Sequence, residues 1–254
     1  RKAIRIFSKT PIALAAFFRA RKGKKIIKPK KNLSFAENFF YMCFGKVPSK
    51  EIVKAFDVSL ILYAEHGFNV STFTARTITS SLSDIHGAIT GAIASLKGPL
   101  HGGANEEVMH MMNKIKKPEN ALKWINKALD KKEVVMGFGH RVYKKGDSRV
   151  PTMEKYFKKV SAIKKDKKFI KIYDTVKKVM IERKNIHPNV DYPTGPTYHL
   201  MDFDTDFFTP IFVISRITGW AAHIMEQHAA NKLIRPLSKY SGPEHRKVML
   251  LNQR

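Results

Sequence analysis

Pro48-Ser49-Lys50-Glu51 opens a run that places apolar side chains at Val53, Phe56, Leu60 and Leu62, and the fold class turns on whether this run is helix or strand. Val58, Leu60 and Leu62 alone alternate as a short strand does. The length of the run and its Glu, Lys and Ala content favour a helix, and Pro-Ser followed by Glu marks a helix start. The same punctuation recurs along the chain. Residues 71–94 continue in small residues with little alternation, and further helices are expected over 105–116, 118–131, 152–160, 169–184 and 210–230. Lys9-Thr10-Pro11-Ile12-Ala13 is expected to open an earlier helix with proline near its first turn, and residues 28–37 read as a loop leading into another. No series of strands joined by two-residue turns is present, so the expected class is all-α. Glycine-rich connectors at 98–103 and 137–146, and the proline-bounded connector 188–196, separate the helical blocks. Connectors of this kind mount site residues on a rigid frame.

With 254 residues, 43% of them hydrophobic, the chain can bury one large core or two smaller ones. The single cysteine, Cys43, excludes an intrachain disulfide and fits a reducing compartment, so a cytoplasmic location is expected. The longest apolar stretch near the start, residues 11–18, is far short of the roughly 20 residues of a spanning helix, and no membrane segment is expected. The formal charge of +26 suggests nucleic acid, anionic membrane or anionic metabolites as partners. Its lysines crowd into 19–31 and 155–184, the latter diluted only by Glu154, Asp166, Asp174 and Glu182. There is no basic strand interleaved with aromatics, no metal-ligand finger and no recognition-helix pattern, so these runs read as solvated faces and nucleic acid is not the expected partner. The first 31 residues lack Asp and Glu, as an organellar transit peptide does, but the helix start before Pro11 makes them ordinary helix plus connector.

Three segments carry chemistry: Leu100-His101-Gly102-Gly103-Ala104-Asn105-Glu106, then Gly137-Phe138-Gly139-His140-Arg141-Val142-Tyr143, then Asn189-Val190-Asp191-Tyr192-Pro193-Thr194-Gly195. Two histidines and an aspartate are the parts needed to make and use an enolate. A bare carboxylate with a pKa near 4 cannot by itself take a proton from the carbon beside a thioester. Donors aimed at the forming oxyanion must help, each contributing roughly 3–4 kcal/mol when well placed. His101 stands just ahead of an expected helix N-terminus, where positive charge is disfavoured, and is expected to stay neutral. Asp191 taken alone reads as a helix cap as readily as a base. No G-x-G-x-x-G or P-loop is present, so hydride transfer and nucleotide hydrolysis have no support. His223 and His228 are spaced poorly for a shared metal face, and no metal is expected.

In this order and with these flanks, the three segments resemble the catalytic segments of the citrate synthase family, and within it most of all those of 2-methylcitrate synthases and dual-specificity enzymes. The resemblance implies a large helical domain (1–102 and 202–254) with a smaller helical domain (103–201) inserted, and a missing N-terminal portion. It implies that Asp191 is the base, that His101 donates a hydrogen bond to the enolate and that His140 polarises the ketone of the second substrate. Arg149, Arg216, Arg235 and His66 would hold oxaloacetate; guanidinium forks match its carboxylates. Arg235 would reach the neighbouring subunit's site, implying a homodimer with shared active sites. The coenzyme A thioester, a substrate and not a resident cofactor, would lie along Val134, Gly137 and Phe138 with Lys184. Propionyl-CoA is the first acyl donor expected; one methyl group in an apolar pocket is worth only about 1–3 kcal/mol, so acetyl-CoA remains usable. Asp202 stands where the family commonly has glycine, in a turn that wants positive φ.

Overall fold

The computed structural model describes residues 1–140, 142–143 and 146–253. Arg141, Lys144 and Lys145 of the second glycine-rich connector lie outside the described residues. The described chain is built on eleven helices: α1 (Lys2–Ala20), α2 (Phe35–Phe44), α3 (Lys50–Tyr63), α4 (Val70–Ser80), α5 (Ile85–Leu96), α6 (Ala104–Ile115), α7 (Pro118–Asp130), α8 (Val150–Ile163), α9 (Lys168–Lys184), α10 (Asp191–Leu200) and α11 (Phe208–Ala229). Among the described residues there is no strand, only one antiparallel bridge between Phe138 and Pro188. The class is all-α.

Local chemistry sets the helix starts. Ser34 and Glu37 form a reciprocal capping box at α2, and Ser49, Asn69 and Asp84 each accept an N–H from the first turn of α3, α4 and α5. In α3 the buried residues Ile52, Ala55, Phe56, Ser59, Leu60 and Tyr63 recur at helical spacing, while Val58 and Leu62 are only half-buried. The strand-like alternation of Val58, Leu60 and Leu62 therefore had no structural meaning.

Three expectations need correction. The continuous stretch 71–94 is divided between two helices: Leu82, at φ 65°, turns the chain, and the Asp84 carboxylate starts α5 by accepting the Gly87 N–H at 2.9 Å. Pro11 does not open a helix but lies buried inside α1, which packs on α2 and α11; that apolar burial outweighs the one main-chain bond the proline removes. Residues 188–196 are not all connector either, because α10 begins at Asp191 and runs through Pro193 and Pro196. Pro193 sits in the first turn, where no N–H bond is needed, and Tyr192 through Tyr198 are fully enclosed between α6 and α8, which offsets Pro196. Asp202 does adopt the left-handed conformation expected of that turn, at φ 68°, and its carboxylate pairs with Lys164 Nζ at 2.7 Å.

The larger core cluster draws on α1–α3 and α6–α11 and includes Phe18, Phe39, Phe40, Phe56, Phe203 and Phe207, whose rings touch in stacked and tilted pairs. Burying one such ring contributes about 1.5–3 kcal/mol. A second cluster joins α4 and α5 to α11 around the fully buried Trp220. Between the two, α11 crosses the C-terminal end of α3. That helix end leaves carbonyls without intrahelical partners, and α11 supplies the donors: Ser215 Oγ to Leu60 O, Arg216 Nε to Tyr63 O at 2.6 Å, and the Gly219 N–H to Ala64 O at 3.1 Å.

The crossing requires glycine at 219, since a methyl group there would collide with the Ala64 carbonyl oxygen. Replacing Gly219 with Ala is therefore expected to cost about 1–3 kcal/mol as overpacking of a rigid contact. Urea denaturation of the two proteins measures it, and an unchanged midpoint would show that the crossing yields without cost.

Candidate active site

Five stretches converge on a cleft of about 800 Å³ lined by Tyr63, His66, His101, His140, Arg149, Asp191, Phe212 and Arg216, among others. Tyr63 ends α3 and His66 follows it in the loop to α4, His101 lies in the turn before α6, His140 and Arg149 lie between α7 and α8, Asp191 opens α10, and Arg216 sits in the middle of α11. Six of the residues singled out in the sequence thus share one cavity. Val134, Gly137, Phe138, Lys184 and Arg235 do not line it. Val134 and Arg235 are exposed, Arg235 in the extended segment after α11, and Lys184 is exposed at the end of α9. Gly137 is buried at φ 83°, and the space its missing Cβ leaves is taken by Val108 and Tyr192. Packing within the chain and the positive φ together require glycine there. Phe138 packs on the Tyr192 ring at 4.4 Å.

Main-chain bonds hold the second and third motif segments together. The Gly139 N–H donates to His187 O at 2.9 Å, the Asn189 N–H to Gly137 O at 2.9 Å, and Asn189 Nδ2 to Gly139 O at 3.0 Å. His140 and Asp191 are therefore mounted on one rigid pairing. Asp147, which sequence reasoning missed, ties it further. Its carboxylate takes a fork from Arg149 (Nε 3.0 Å, Nη2 2.7 Å) and also accepts the Val190 N–H at 3.0 Å, one residue before Asp191.

Both histidines of the motifs have their tautomer set by backbone donors. His101 Nε2 accepts the Ser71 N–H at 3.3 Å and lies 2.8 Å from Ser71 Oγ, so in the neutral ring the proton is on Nδ1. His140 Nδ1 accepts the N–H groups of Val142 (3.1 Å) and Tyr143 (3.3 Å), so its proton is on Nε2. Burial lowers the pKa of His101 to about 4, helped by the Arg216 charge and by His66. The helix N-terminus invoked from sequence is not the main cause; desolvation is. Burial likewise brings His66 to about 4, with Arg149, His140 and Arg216 adding to it, and lowers His140.

Asp191 behaves in the opposite way. Desolvation raises its carboxyl to about 6, against the pull of the Tyr63 hydroxyl, which donates to Oδ1 at 2.5 Å, and of the Arg149 charge. It does not cap α10; the side chain is committed to Tyr63. The second arginine differs from the first. Arg149 is matched by Asp147, but Arg216, 1% exposed, bonds among the described residues only the Tyr63 carbonyl, lies 4.7 Å over the Phe212 ring, and leaves Nη1 buried without a partner among them. Desolvation and the Arg149 charge push its pKa down to about 10. A buried unmatched cation in a cavity wall is a receptor for an anion. Among the described residues no group of three or more His, Cys, Asp or Glu side chains is arranged to hold a metal ion.

These shifts have a definite linkage sign. An unfolded histidine takes up a proton near pH 6.5, which folded His66 and His101 refuse until about pH 4, so stability falls as pH drops through that window. Asp191, raised to about 6 in the folded state, acts the other way, regaining stability as pH falls from about 6 to 4. The two histidine resonances are expected not to titrate between about pH 8 and 5 in NMR spectra assigned by single substitution. Titration near 6.5 would refute their desolvation.

A model of the citrate synthase C-terminal domain matches residues 1–237. The chain is 54% identical over 254 residues to 2-methylcitrate synthase 2 of Corynebacterium glutamicum, an alignment covering 98% of this chain and 66% of that protein. It is 53% identical over 248 residues to citrate synthase of Mycolicibacterium smegmatis, covering 98% and 66%. Among solved structures, citrate synthase from Thermotoga maritima MSB8 superposes with a TM-score of 0.90 at 39% identity, over 100% of this chain and 70% of that one. Citrate synthase from Thermoplasma acidophilum, solved as a ternary complex with carboxymethyl coenzyme A and oxaloacetate, superposes with a TM-score of 0.90 at 35% identity, over 99% and 68%. The chain thus spans 66% of the length of these two curated relatives. With family model, relatives and fold in agreement, the chain belongs to the citrate synthase family.

Proposed function

We propose that this chain carries the condensing site of an enzyme that joins propionyl-CoA, and also acetyl-CoA, to oxaloacetate, releasing free coenzyme A with 2-methylcitrate or citrate as product. The observation that carries the reading is the partnerless Nη1 of buried Arg216 in the same cavity wall as Asp191 and two neutral imidazoles. It calls for an anionic substrate at the place where a carbanion can be made. Asp191 removes the proton beside the thioester carbonyl, and its raised pKa brings it closer to the carbon acid than an ordinary carboxylate. His101 Nδ1–H stabilises the oxygen of the resulting enolate, and a neutral donor does so without protonating it prematurely. The enolate carbon attacks the ketone of oxaloacetate, polarised by His140 Nε2–H, and water then cleaves the thioester.

Arg149, Arg216 and His66 hold the oxaloacetate carboxylates, and Arg235, exposed on the segment after α11, completes the site of a second copy, making the working unit a homodimer. The coenzyme runs past Val134, Gly137 and Phe138 toward Lys184, beside a hollow of about 250 Å³ that includes Asn185 and His187. Residues 103–201 act as the smaller domain, closing on 1–102 and 202–254. The names of the relatives support both acyl donors, 2-methylcitrate synthase and citrate synthase alike. A location in the cytoplasm agrees with this chemistry, and among the described residues no helix is long and apolar enough to cross a membrane.

Thiol release from propionyl-CoA and acetyl-CoA tests the reading. Release is expected only when oxaloacetate is present, declining below about pH 6 as Asp191 protonates. Asp191→Ala should lower turnover by ~10²–10⁴-fold, the range of a general base, with coenzyme affinity little changed. Release independent of oxaloacetate, or full activity in the Asp191 variant, would overturn it.

A further inference from the structure

Tyr63 does two things at once. Its hydroxyl donates to Asp191 Oδ1 at 2.5 Å, and its main-chain carbonyl accepts Arg216 Nε at 2.6 Å. Its ring is fully buried and packs on Phe212 at 4.0 Å; Phe212 in turn carries the Arg216 guanidinium on its face and meets the His101 ring edge at 6.4 Å. Among the described residues no donor engages Asp191 Oδ2, and neither arginine hydrogen-bonds the carboxylate.

We propose that Tyr63 is the positioning residue of the Asp191 carboxylate, holding Oδ1 so that Oδ2 is the oxygen that takes the proton, and locking that carboxylate to the Arg216 anion receptor through its own main chain. This rests on the reading above, in which Asp191 is the base. The proton taken by Oδ2 comes from the carbon beside the thioester, the C–H electron pair passes into the enolate, and the phenol proton stays on Tyr63 throughout.

The choice of donor matters. A guanidinium clamped on both oxygens would orient the carboxylate but draw its proton affinity far down and occupy the oxygen that must react. A phenol is neutral, gives one hydrogen bond, and is held in its protonated form because burial and the Asp191 charge raise its own pKa well above the usual value. It fixes the carboxylate while leaving most of the basicity that desolvation created. The charged and titratable groups around Asp191 are Tyr63 from α3, His66 and His101 from the neighbouring turns, His140, Asp147 and Arg149 from the segment before α8, Tyr198 on α10 itself and Arg216 from α11. Of these only Tyr63 touches the carboxylate.

The test compares the full chain with Tyr63→Phe, which keeps the ring and the carbonyl that holds Arg216, and with 3,5-difluorotyrosine at position 63, a stronger donor of nearly the same shape. The Asp191 side-chain carbon is followed by 13C NMR against pH, assigned with Asp191→Asn, alongside kcat, KM and thiol release. Tyr63→Phe is expected to raise the Asp191 titration and the acid limb of kcat together by about one pH unit, and difluorotyrosine to lower both, because a hydrogen bond to the charged form favours it. The loss of orientation in Tyr63→Phe should reduce kcat ~10-fold while KM for oxaloacetate stays within about twofold. An Asp191 titration that does not move in either variant overturns the proposal, as does a rise in KM with an unmoved acid limb, which is what a merely structural tyrosine gives. The fluorinated protein keeps the test open should Tyr63→Phe fail to fold. If the unmodified chain releases no thiol, the proposed function falls while the titration still decides the role of Tyr63.

Discussion

The carbonyl end of α3 is met not by a glycine cap but by a polar strip of α11. Ser215, Arg216 and Gly219 each donate to one of Leu60, Tyr63 and Ala64. Everything in the cleft depends on this crossing. It places Tyr63, and therefore its hydroxyl, against Asp191; it sets the start of the loop that carries His66; and it brings a guanidinium to a helix C-terminus, where positive charge is favoured. Trp220, the next residue along α11, donates its indole N–H to Ser71 Oγ at 3.1 Å, which lies against His101. One helix thus registers the donor, the base and the anion receptor against one another.

The electrostatics follow from which charges find partners. Asp147 matches Arg149, burial opposing its ionisation but the guanidinium holding its pKa below the usual value. Among the described residues Arg216 has no such partner; desolvation, aided by the Arg149 and Arg216 charges at His66 and by the Arg216 charge at His101, keeps both histidines uncharged. The cleft consequently combines one excess cation, three imidazoles whose pKa burial lowers and a carboxyl that titrates at about 6. An anionic group facing Arg216 resolves that imbalance; a neutral one does not.

Much of this was legible from sequence. Capping residues and apolar spacing gave the helices, and ordered motifs gave His66, His101, His140, Arg149, Asp191 and Arg216, which do share one cavity. Two of the misreadings share a cause. Pro11 inside α1 and Pro196 inside α10 carry strong local signals against a helix that tertiary burial overrode. Tyr63 and Asp147 were invisible for the complementary reason. Nothing near Tyr63 in the chain announces that its hydroxyl meets residue 191, and an aspartate two residues before an arginine looks like any surface ion pair. The left-handed turn at Asp202 was readable only through the resemblance, from the glycine the family commonly has there.

The pairing of residues 137–139 with 187–189 closes the intervening chain, including α8 and α9, into a loop whose two ends are fastened side by side. Distance between His140 and Asp191 is then set at the fastening and by Asp147, whose carboxylate accepts the Val190 N–H. The solvent-facing tip of that excursion, the turn at 164–167 between the two helices, is consequently free to change length or composition without disturbing catalytic spacing. Lys164, Lys165 and Lys167 stand in this turn, so part of the chain's positive excess lies where it does not line the cleft.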